Sequence, residues 1–76
     1  MAVKAYVLIE ARVGETKEVV EGMRKLEGVV EVHVVTGPYD VIAIIQAETL
    51  HDIGELIVAK VHPLAAISRT VSCLAV

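Results

Sequence analysis

The 76-residue sequence contains one cysteine, two tyrosines and no other aromatic residue, and each scarcity excludes a class of protein. The lone Cys73 cannot form a disulfide within the chain, which excludes a disulfide-stapled fold. Two tyrosines are too few for the stacking surfaces on which RNA- and single-strand-binding proteins hold bases. With a net charge of −3 and scattered Lys and Arg residues, the chain also lacks the basic stripe of proteins that bind nucleic acid directly.

Long apolar runs are also missing from the sequence. None approaches the roughly 18 consecutive apolar residues that a membrane-spanning helix needs. The N-terminus lacks the basic, apolar and small-residue layout of a signal peptide. We therefore expect a cytoplasmic protein that has no membrane partner.

The polar residues offer little catalytic or metal-binding chemistry. His33, His51 and His62 have no cysteine at zinc spacing, and the last two are separated by a helical rise of roughly 16 Å, too far for one ion. Cys73, late in a strand pattern, is expected to be a small buried apolar residue. The carboxylates fall mostly on helix faces and element ends. We therefore predict no catalytic residue, no metal and no cofactor.

Apolar residues are abundant for so short a chain. They make up 55% of the sequence and charged residues 22%, against about 45 to 50% and about 25% in ordinary soluble domains. A single core of this size contributes only roughly 3 to 5 kcal/mol, and the sequence predicts neither a disulfide nor a metal to add to it. The composition therefore predicts a homo-oligomer that buries the remaining apolar surface.

The spacing of apolar residues predicts six elements in the order βαββαβ. Strands are expected over residues 2–11, 29–36, 41–47 and 65–76, and helices over residues 14–28 and 49–62. Gly28 is expected to end the first helix, and Thr49 to cap the start of the second. In the last strand, alternation predicts Ser68, Thr70 and Ser72 on the face opposite Ile67, Arg69, Val71 and Cys73.

Right-handed crossovers applied to this order give one arrangement. It is the α+β, ferredoxin-like fold, a four-stranded antiparallel sheet with two helices on one face. The strands over residues 2–11 and 41–47 carry apolar residues on both faces, so the face away from the helices also needs a cover. A second copy of the same sheet is the simplest cover, which predicts the sheet-to-sheet pairing of a dimeric α/β-barrel.

The segment over residues 35–41 joins the second and third strands and allows two interpretations. In the first it is an ordinary hairpin turn, shaped by Gly37 and Pro38, in which the Asp40 carboxylate accepts hydrogen bonds from free backbone N–H groups. In the second its amides and hydroxyls hold the carboxylate of a zwitterion, while Asp40 faces the ammonium group. Residue chemistry alone favours the first interpretation.

Several stretches of the sequence resemble the effector domain of the Lrp/AsnC family of feast/famine regulators, also called the RAM domain. They lie at residues 26–30, 36–40, 56–57, 62–64 and 68–72. Together with the βαββαβ order they cover nearly the whole sequence. The Gly-x-Tyr-Asp element at residues 37–40 is the most specific of them.

The resemblance implies a non-enzymatic module in the regulation of amino-acid metabolism, with an amino acid as its effector. In that family, dimers form by facing sheets and assemble into rings, often octamers, and the ligand lies between dimers near the hairpin and the last strand. Carried onto this sequence, the ligand-binding candidates are Thr36, Gly37, Tyr39 and Asp40 of the hairpin, with Ser68, Arg69, Thr70 and Ser72 of a neighbouring protomer.

Family regulators also carry an N-terminal helix-turn-helix domain that reads DNA, whereas this sequence begins with the first strand of the effector domain. We therefore expect residues 1–76 to form a single, stand-alone effector domain without a DNA-binding domain. Such a module either senses or buffers an amino acid, or co-assembles with full-length Lrp/AsnC regulators. The sequence leaves both alternatives open.

Two other families share this order of strands and helices. An ACT-type regulatory domain receives its amino acid at a glycine-bearing turn after the first strand, a part that Val13, Gly14 and Glu15 would play here. A small dimeric α/β-barrel enzyme places a polar or aromatic pocket between its sheet and helices. The few aromatic residues and scattered acid–base groups count against the enzyme.

Overall fold

The computed structural model describes residues 2–76, which form four strands and two helices. In chain order these are β1 (Val3–Ala11), α1 (Thr16–Arg24), β2 (Val29–Val34), β3 (Val41–Ala47), α2 (Leu50–Leu56), which continues as a π-helical turn (Ile57–Val61), and β4 (Ile67–Leu74). The predicted βαββαβ order and α+β class are confirmed. Neither helix in this part of the chain has the length and apolar character needed to cross a membrane.

The strands form one antiparallel sheet in the order β2-β3-β1-β4, so β1 and β3 lie in its centre. The register places Val7 of β1 between Ala43 of β3 and Ser72 of β4. Paired residues of an antiparallel sheet point their side chains to the same face. Odd-numbered residues of β1 therefore mark one face of the sheet, and even-numbered residues mark the other.

Both helices cover the face marked by the odd-numbered residues, as the ferredoxin-like prediction requires. The buried side chains of this layer are Ala5, Val7, Ile9, Val41, Ala43 and Ile45 from the sheet, and Val19, Val20, Met23, Ile53 and Val61 from the helical elements. Because apolar burial is the dominant favourable contribution to folding, this layer holds the protomer together.

The two predicted helix-end signals have different outcomes. Thr49 caps α2 as predicted, and its Oγ1 accepts a hydrogen bond from the Asp52 N–H at 3.1 Å. The prediction for Gly28 is wrong, because α1 ends earlier, at Arg24. The Gly28 carbonyl instead accepts the Gln46 N–H at 2.8 Å, which ties this residue to β3 and requires the chain to have left the helix before it.

The other face of the sheet, called the open face below, is not covered by any element of residues 2–76. It carries Lys4, Tyr6, Leu8 and Glu10 of β1, Ile42, Ile44 and Gln46 of β3, Glu31 and His33 of β2, and Arg69, Val71 and Cys73 of β4. Its centre is apolar and its ends are charged. The expectation of a buried Cys73 is wrong, because this residue faces the open side and is exposed.

The start of β4 departs from simple alternation. Ala11 pairs with Ile67 and Glu10 pairs with Arg69, which leaves Ser68 as the extra residue of a β-bulge. Ile67 therefore packs against the core under the helices, while Arg69 stands on the open face. The predicted placement of these two residues on one face is wrong, because the bulge interrupts the alternation between them.

Candidate functional site

The hairpin between β2 and β3 meets the end of β1 and the start of β4 at one end of the sheet. At the base of the hairpin, the Val35 N–H donates to the Asp40 carbonyl at 2.9 Å. The Asp40 N–H donates to the Ile9 carbonyl, also at 2.9 Å. These bonds hold the segment over residues 36–40 against β1 and bring it close to the first residues of β4.

The Asp40 carboxylate is engaged by the backbone. Its Oδ2 accepts a hydrogen bond from the Ala11 N–H at 2.9 Å, in a partly buried position. A hydrogen bond with an ionised partner is roughly twice as strong as a neutral one, so this contact fastens the hairpin to β1. The capping role that the sequence suggested for Asp40 is therefore observed, and its contact with an ammonium group stays a prediction.

Gly37 shapes the tip of the hairpin. Its φ of 137° lies in a region that L side chains rarely adopt. A Cβ at this position would meet no atom within 4 Å, so the backbone path requires the glycine and crowding does not. Thr36 and Pro38 on either side are exposed, which leaves the tip open to a ligand or to a neighbouring protomer.

The Arg69 side chain reaches from β4 toward the hairpin, past the end of β1. Its guanidinium carbon lies 5.8 Å from the centre of the Tyr39 ring, a cation–π distance. Among residues 2–76, no carboxylate oxygen lies within 4.0 Å of a guanidinium nitrogen of Arg69, so this group forms no ion pair there. Its forked N–H donors match the geometry of a carboxylate, so the group is suited to bind one from outside.

Glu10 joins these residues, although the sequence patterns do not select it. It pairs with Arg69 across the β1–β4 ladder, and both side chains stand on the open face. The Ser68 hydroxyl donates a long hydrogen bond to the Glu10 Oε1 at 3.4 Å. The one signal that points to Glu10 is strand alternation, which puts it on the open face at the end of β1 that meets the hairpin.

Part of the predicted ligand set comes together in one protomer: Tyr39, Asp40, Ser68 and Arg69. Thr36 and Gly37 lie at the exposed tip of the same hairpin. Thr70 and Ser72 pair with helix-side residues of β1, so they point away from Arg69. Contact of each of these residues with a ligand stays a prediction.

An apolar hollow of about 460 Å³ adjoins this group on the open face. It is lined by Leu8, Val35, Thr36, Pro38, Tyr39 and Ile42. Tyr39 thus borders both the hollow and the charged group. The hairpin end of the open face therefore combines an apolar depression with a pair of opposite charges.

The groups gathered at the hairpin end suit the binding of a small charged molecule. Within residues 2–76, no polar or charged side chain is buried, and no three His, Cys, Asp or Glu side chains are grouped as they would be around a metal ion. The hairpin end holds the carboxylate of Glu10, the guanidinium of Arg69, and nearby hydroxyl and amide groups. Such a set complements a zwitterion, which carries both charges.

Comparison with known proteins places relatives of this chain among transcriptional regulators. The family model described as the Lrp/AsnC ligand binding domain matches residues 4–76. An uncharacterised HTH-type transcriptional regulator of Pyrococcus furiosus is 32% identical over 56 residues, which covers 74% of this chain and 37% of the relative. The chain therefore spans little more than a third of the length of the curated relatives that it matches.

Solved structures share the fold over nearly the whole chain. A protein from Thermus thermophilus, TTHA0845, has a TM-score of 0.92 and 30% identity, over 97% of this chain and 92% of that one. A regulator from Neisseria meningitidis, solved as a complex with L-Met, has a TM-score of 0.87 and 13% identity, over 97% of this chain and 49% of that one, and shows the fold alone. Because the family model spans the elements from β1 to β4, this chain belongs to the Lrp/AsnC family and corresponds to its ligand-binding domain.

Proposed function

We propose that this chain is an oligomeric regulatory domain that binds an amino acid at the hairpin end of its sheet. The observation that carries the proposal is the Arg69 guanidinium on the Tyr39 ring, beside Glu10 and without a carboxylate of residues 2–76 in ion-pair range. A guanidinium held in this way can receive the carboxylate of a ligand without breaking an existing ion pair. The hairpin and the Ser68 hydroxyl supply further polar groups.

Two findings support an amino acid as the ligand. The matching family model describes a ligand-binding domain, and the Neisseria meningitidis regulator of the same fold is described as a complex with L-Met. The proposed contacts are Thr36, Gly37, Tyr39, Asp40, Ser68 and Arg69 of one protomer, which its hairpin end brings together, with Thr70 and Ser72 contributed by a neighbour. Because Thr70 and Ser72 point away from Arg69 in one protomer, this set requires contacts from more than one subunit.

A second copy of the chain is the proposed cover for the open face. Tyr6 and Val71, which are 39% and 38% exposed, lie there with Leu8, Ile42 and Ile44, while charged residues lie toward the edges. An apolar centre with a polar rim is the usual composition of a protein interface. In this dimer the sheets face each other, and rings of dimers, such as an octamer, would form through the exposed hairpin ends.

Thermal unfolding against each of the twenty amino acids tests the ligand. A ligand that binds only the folded state raises the free energy of unfolding by about 2.7 kcal/mol at one hundred times its Kd. We expect a selective rise in Tm for one or a few amino acids. The rise should disappear in Arg69→Gln and persist in Arg24→Gln, a matched change at an exposed position of α1. No rise with any amino acid at millimolar concentration would contradict the proposal.

Cys73 gives a direct probe of the open face, since it is the only cysteine and is exposed beside Tyr6. In a sheet-to-sheet dimer, a thiol reagent should react with it slowly at high protein concentration and faster on dilution. Light scattering over the same range should show the mass falling from dimer to monomer. A constant reaction rate together with a monomer mass at all concentrations would contradict the dimer.

The link to transcription is proposed from the relatives, which are HTH-type regulators. We propose that this domain lies in the cytoplasm and affects such regulators by co-assembly. Mixing the purified chain with a tagged HTH-containing family member, with and without the amino acid found in the thermal screen, tests this step. A mixed complex on size-exclusion chromatography would support co-assembly, and its absence would favour a sensing or buffering role.

A further inference from the structure

We infer that Glu10, and not Asp40, binds the ammonium group of the amino acid. The inference deepens the function proposed above and rests on it, since it requires an amino acid at the hairpin end. It gives a specific task to a residue that neither the sequence patterns nor the family match assigns to the site.

Asp40 is poorly placed to bind the ammonium group because its carboxylate already accepts a backbone hydrogen bond. The Oδ2 accepts the Ala11 N–H at 2.9 Å, and the bond is partly buried. Turning the carboxylate toward a ligand would leave that amide without a partner, which carries the full cost of its desolvation. The hairpin would also lose the contact that fastens its last residue to β1.

The Glu10 carboxylate has no such hydrogen bond to the backbone. Its one side-chain hydrogen bond among residues 2–76 comes from the Ser68 hydroxyl at 3.4 Å, longer than the usual range of about 2.5 to 3.0 Å for this type of bond. No cation of residues 2–76 forms an ion pair with it. The carboxylate is therefore partly exposed and weakly held, at the point where β1 meets the hairpin and β4.

Glu10 also lies next to Arg69, with which it pairs across the β1–β4 ladder. Directly paired residues of an antiparallel sheet have Cβ atoms about 4.5 to 5.5 Å apart, close enough for opposite charges to join. These two do not join, because the Arg69 guanidinium lies over the Tyr39 ring instead. The two charges are adjacent and unpaired. An α-amino acid, which carries its carboxylate and ammonium on one carbon, can bridge them.

A pair of ligands that differ only in the ammonium group tests the assignment. Isothermal titration calorimetry would compare the amino acid that gives the largest Tm rise with its 2-hydroxy acid, in the wild type and in Glu10→Gln. We expect the variant to bind the amino acid about ten- to a hundredfold more weakly. Its affinity for the hydroxy acid should not fall, so the preference for the amino acid disappears.

Two matched variants make the comparison specific. Asp40→Asn removes a charge but keeps an oxygen that can accept the Ala11 N–H, and it should retain the preference. Glu21→Gln makes the same charge change as Glu10→Gln on the exposed side of α1 and should behave as the wild type. If Glu10→Gln does not fold, Glu10→Asp, which keeps the charge with a shorter reach, should show a partial loss of preference.

The outcomes separate this inference from the function on which it rests. Binding of no amino acid by the wild type would overturn both. Wild-type binding with an undiminished preference in Glu10→Gln, or in Glu10→Asp where the first variant does not fold, would overturn the role of Glu10 alone. Loss of the preference in Asp40→Asn but not in the Glu10 variants would assign the ammonium group to Asp40 and likewise overturn the inference.

Discussion

The two faces of the sheet are made of similar residues in different surroundings. Ile44 and Ile45 are neighbours on β3, yet Ile45 is fully buried under the helices while Ile44 lies on the open face and is only partly covered. Val7 and Leu8 show the same contrast on β1. A large exposed apolar face is uncommon on a monomer, so adjacent residues of one strand serve two purposes. One set folds the protomer, and the other forms the face through which we propose that it associates.

The largest expected effect comes from removing a side chain beneath the helices. Ile45→Ala should lower the free energy of unfolding by about 2 to 5 kcal/mol, because it leaves a cavity in a fully packed layer. Ile44→Ala removes the same atoms from the open face. Its effect should be smaller and should grow with protein concentration, since the contacts it removes form on association. Urea denaturation at two concentrations measures both, and equal losses that do not depend on concentration would contradict the distinction.

A charge in the centre of the open face should prevent association without unfolding the protomer. Leu8→Asp would bury an unpaired carboxylate in the dimer, at a cost of at least about 3 kcal/mol, or roughly a hundredfold in the dimer Kd. Val13→Asp is the control, because Val13 is an exposed apolar residue in the turn after β1. Sedimentation equilibrium measures association, and circular dichroism checks the fold. A dimer that survives Leu8→Asp would place the interface elsewhere.

A smaller effect is expected at the hairpin end, where the open face meets the loops. Asp40→Ala leaves the Ala11 amide without its partner and should lower the free energy of unfolding by about 1 to 2 kcal/mol, weakening amino-acid binding as the hairpin loosens. Gly14→Asn changes the turn in which an ACT-type domain would bind, and asparagine tolerates the φ of 77° there. Amino-acid titration should show binding retained in Gly14→Asn, and the reverse pattern would favour the ACT-type site.

The smallest expected effect concerns the ring on which Arg69 rests. Tyr39→Leu removes a partly exposed cation–π contact worth about 0.5 to 1 kcal/mol, so amino-acid affinity should fall only a few-fold. Tyr39→Phe keeps the ring and should bind as the wild type. Calorimetric titration of both variants measures the difference. A large loss in Tyr39→Phe would instead give the hydroxyl a direct role in binding.

Most of the fold follows from local patterns. The two-residue period of the strands and the 3.6-residue period of the helices identify six elements, and the Thr49 hydroxyl caps α2 as its position predicts. The end of α1 does not follow from a local pattern. The Gly28 carbonyl accepts a hydrogen bond from the Gln46 N–H of β3 and so takes no part in the helix, and no neighbouring residue encodes that contact with a distant strand.

The sequence predicts where the candidate site lies, but it does not predict which residues contact one another there. The hairpin over residues 36–40 lies where the sequence indicates, against β1 and near β4. Strand alternation puts Glu10 on the open face, but its pairing with Arg69 follows only from the β1–β4 register, and the position of the Arg69 guanidinium only from its contact with Tyr39. Both depend on pairings between residues far apart in the sequence, for which strand periodicity carries no information.

The bulge at Ser68 also bears on how the length of β4 can change. In a strand, adding or removing one residue normally exchanges the faces of every residue beyond it. The bulge already accommodates Ser68 as an extra residue, since Ile67 and Arg69 face opposite ways with Ser68 between them. Its loss would leave every other side chain on its present face. Deleting the one residue between Arg69 and Val71 would instead put Arg69 on the opposite face of the sheet from Val71 and Cys73. Length variation among relatives is therefore expected at the bulge and not within the rest of the strand.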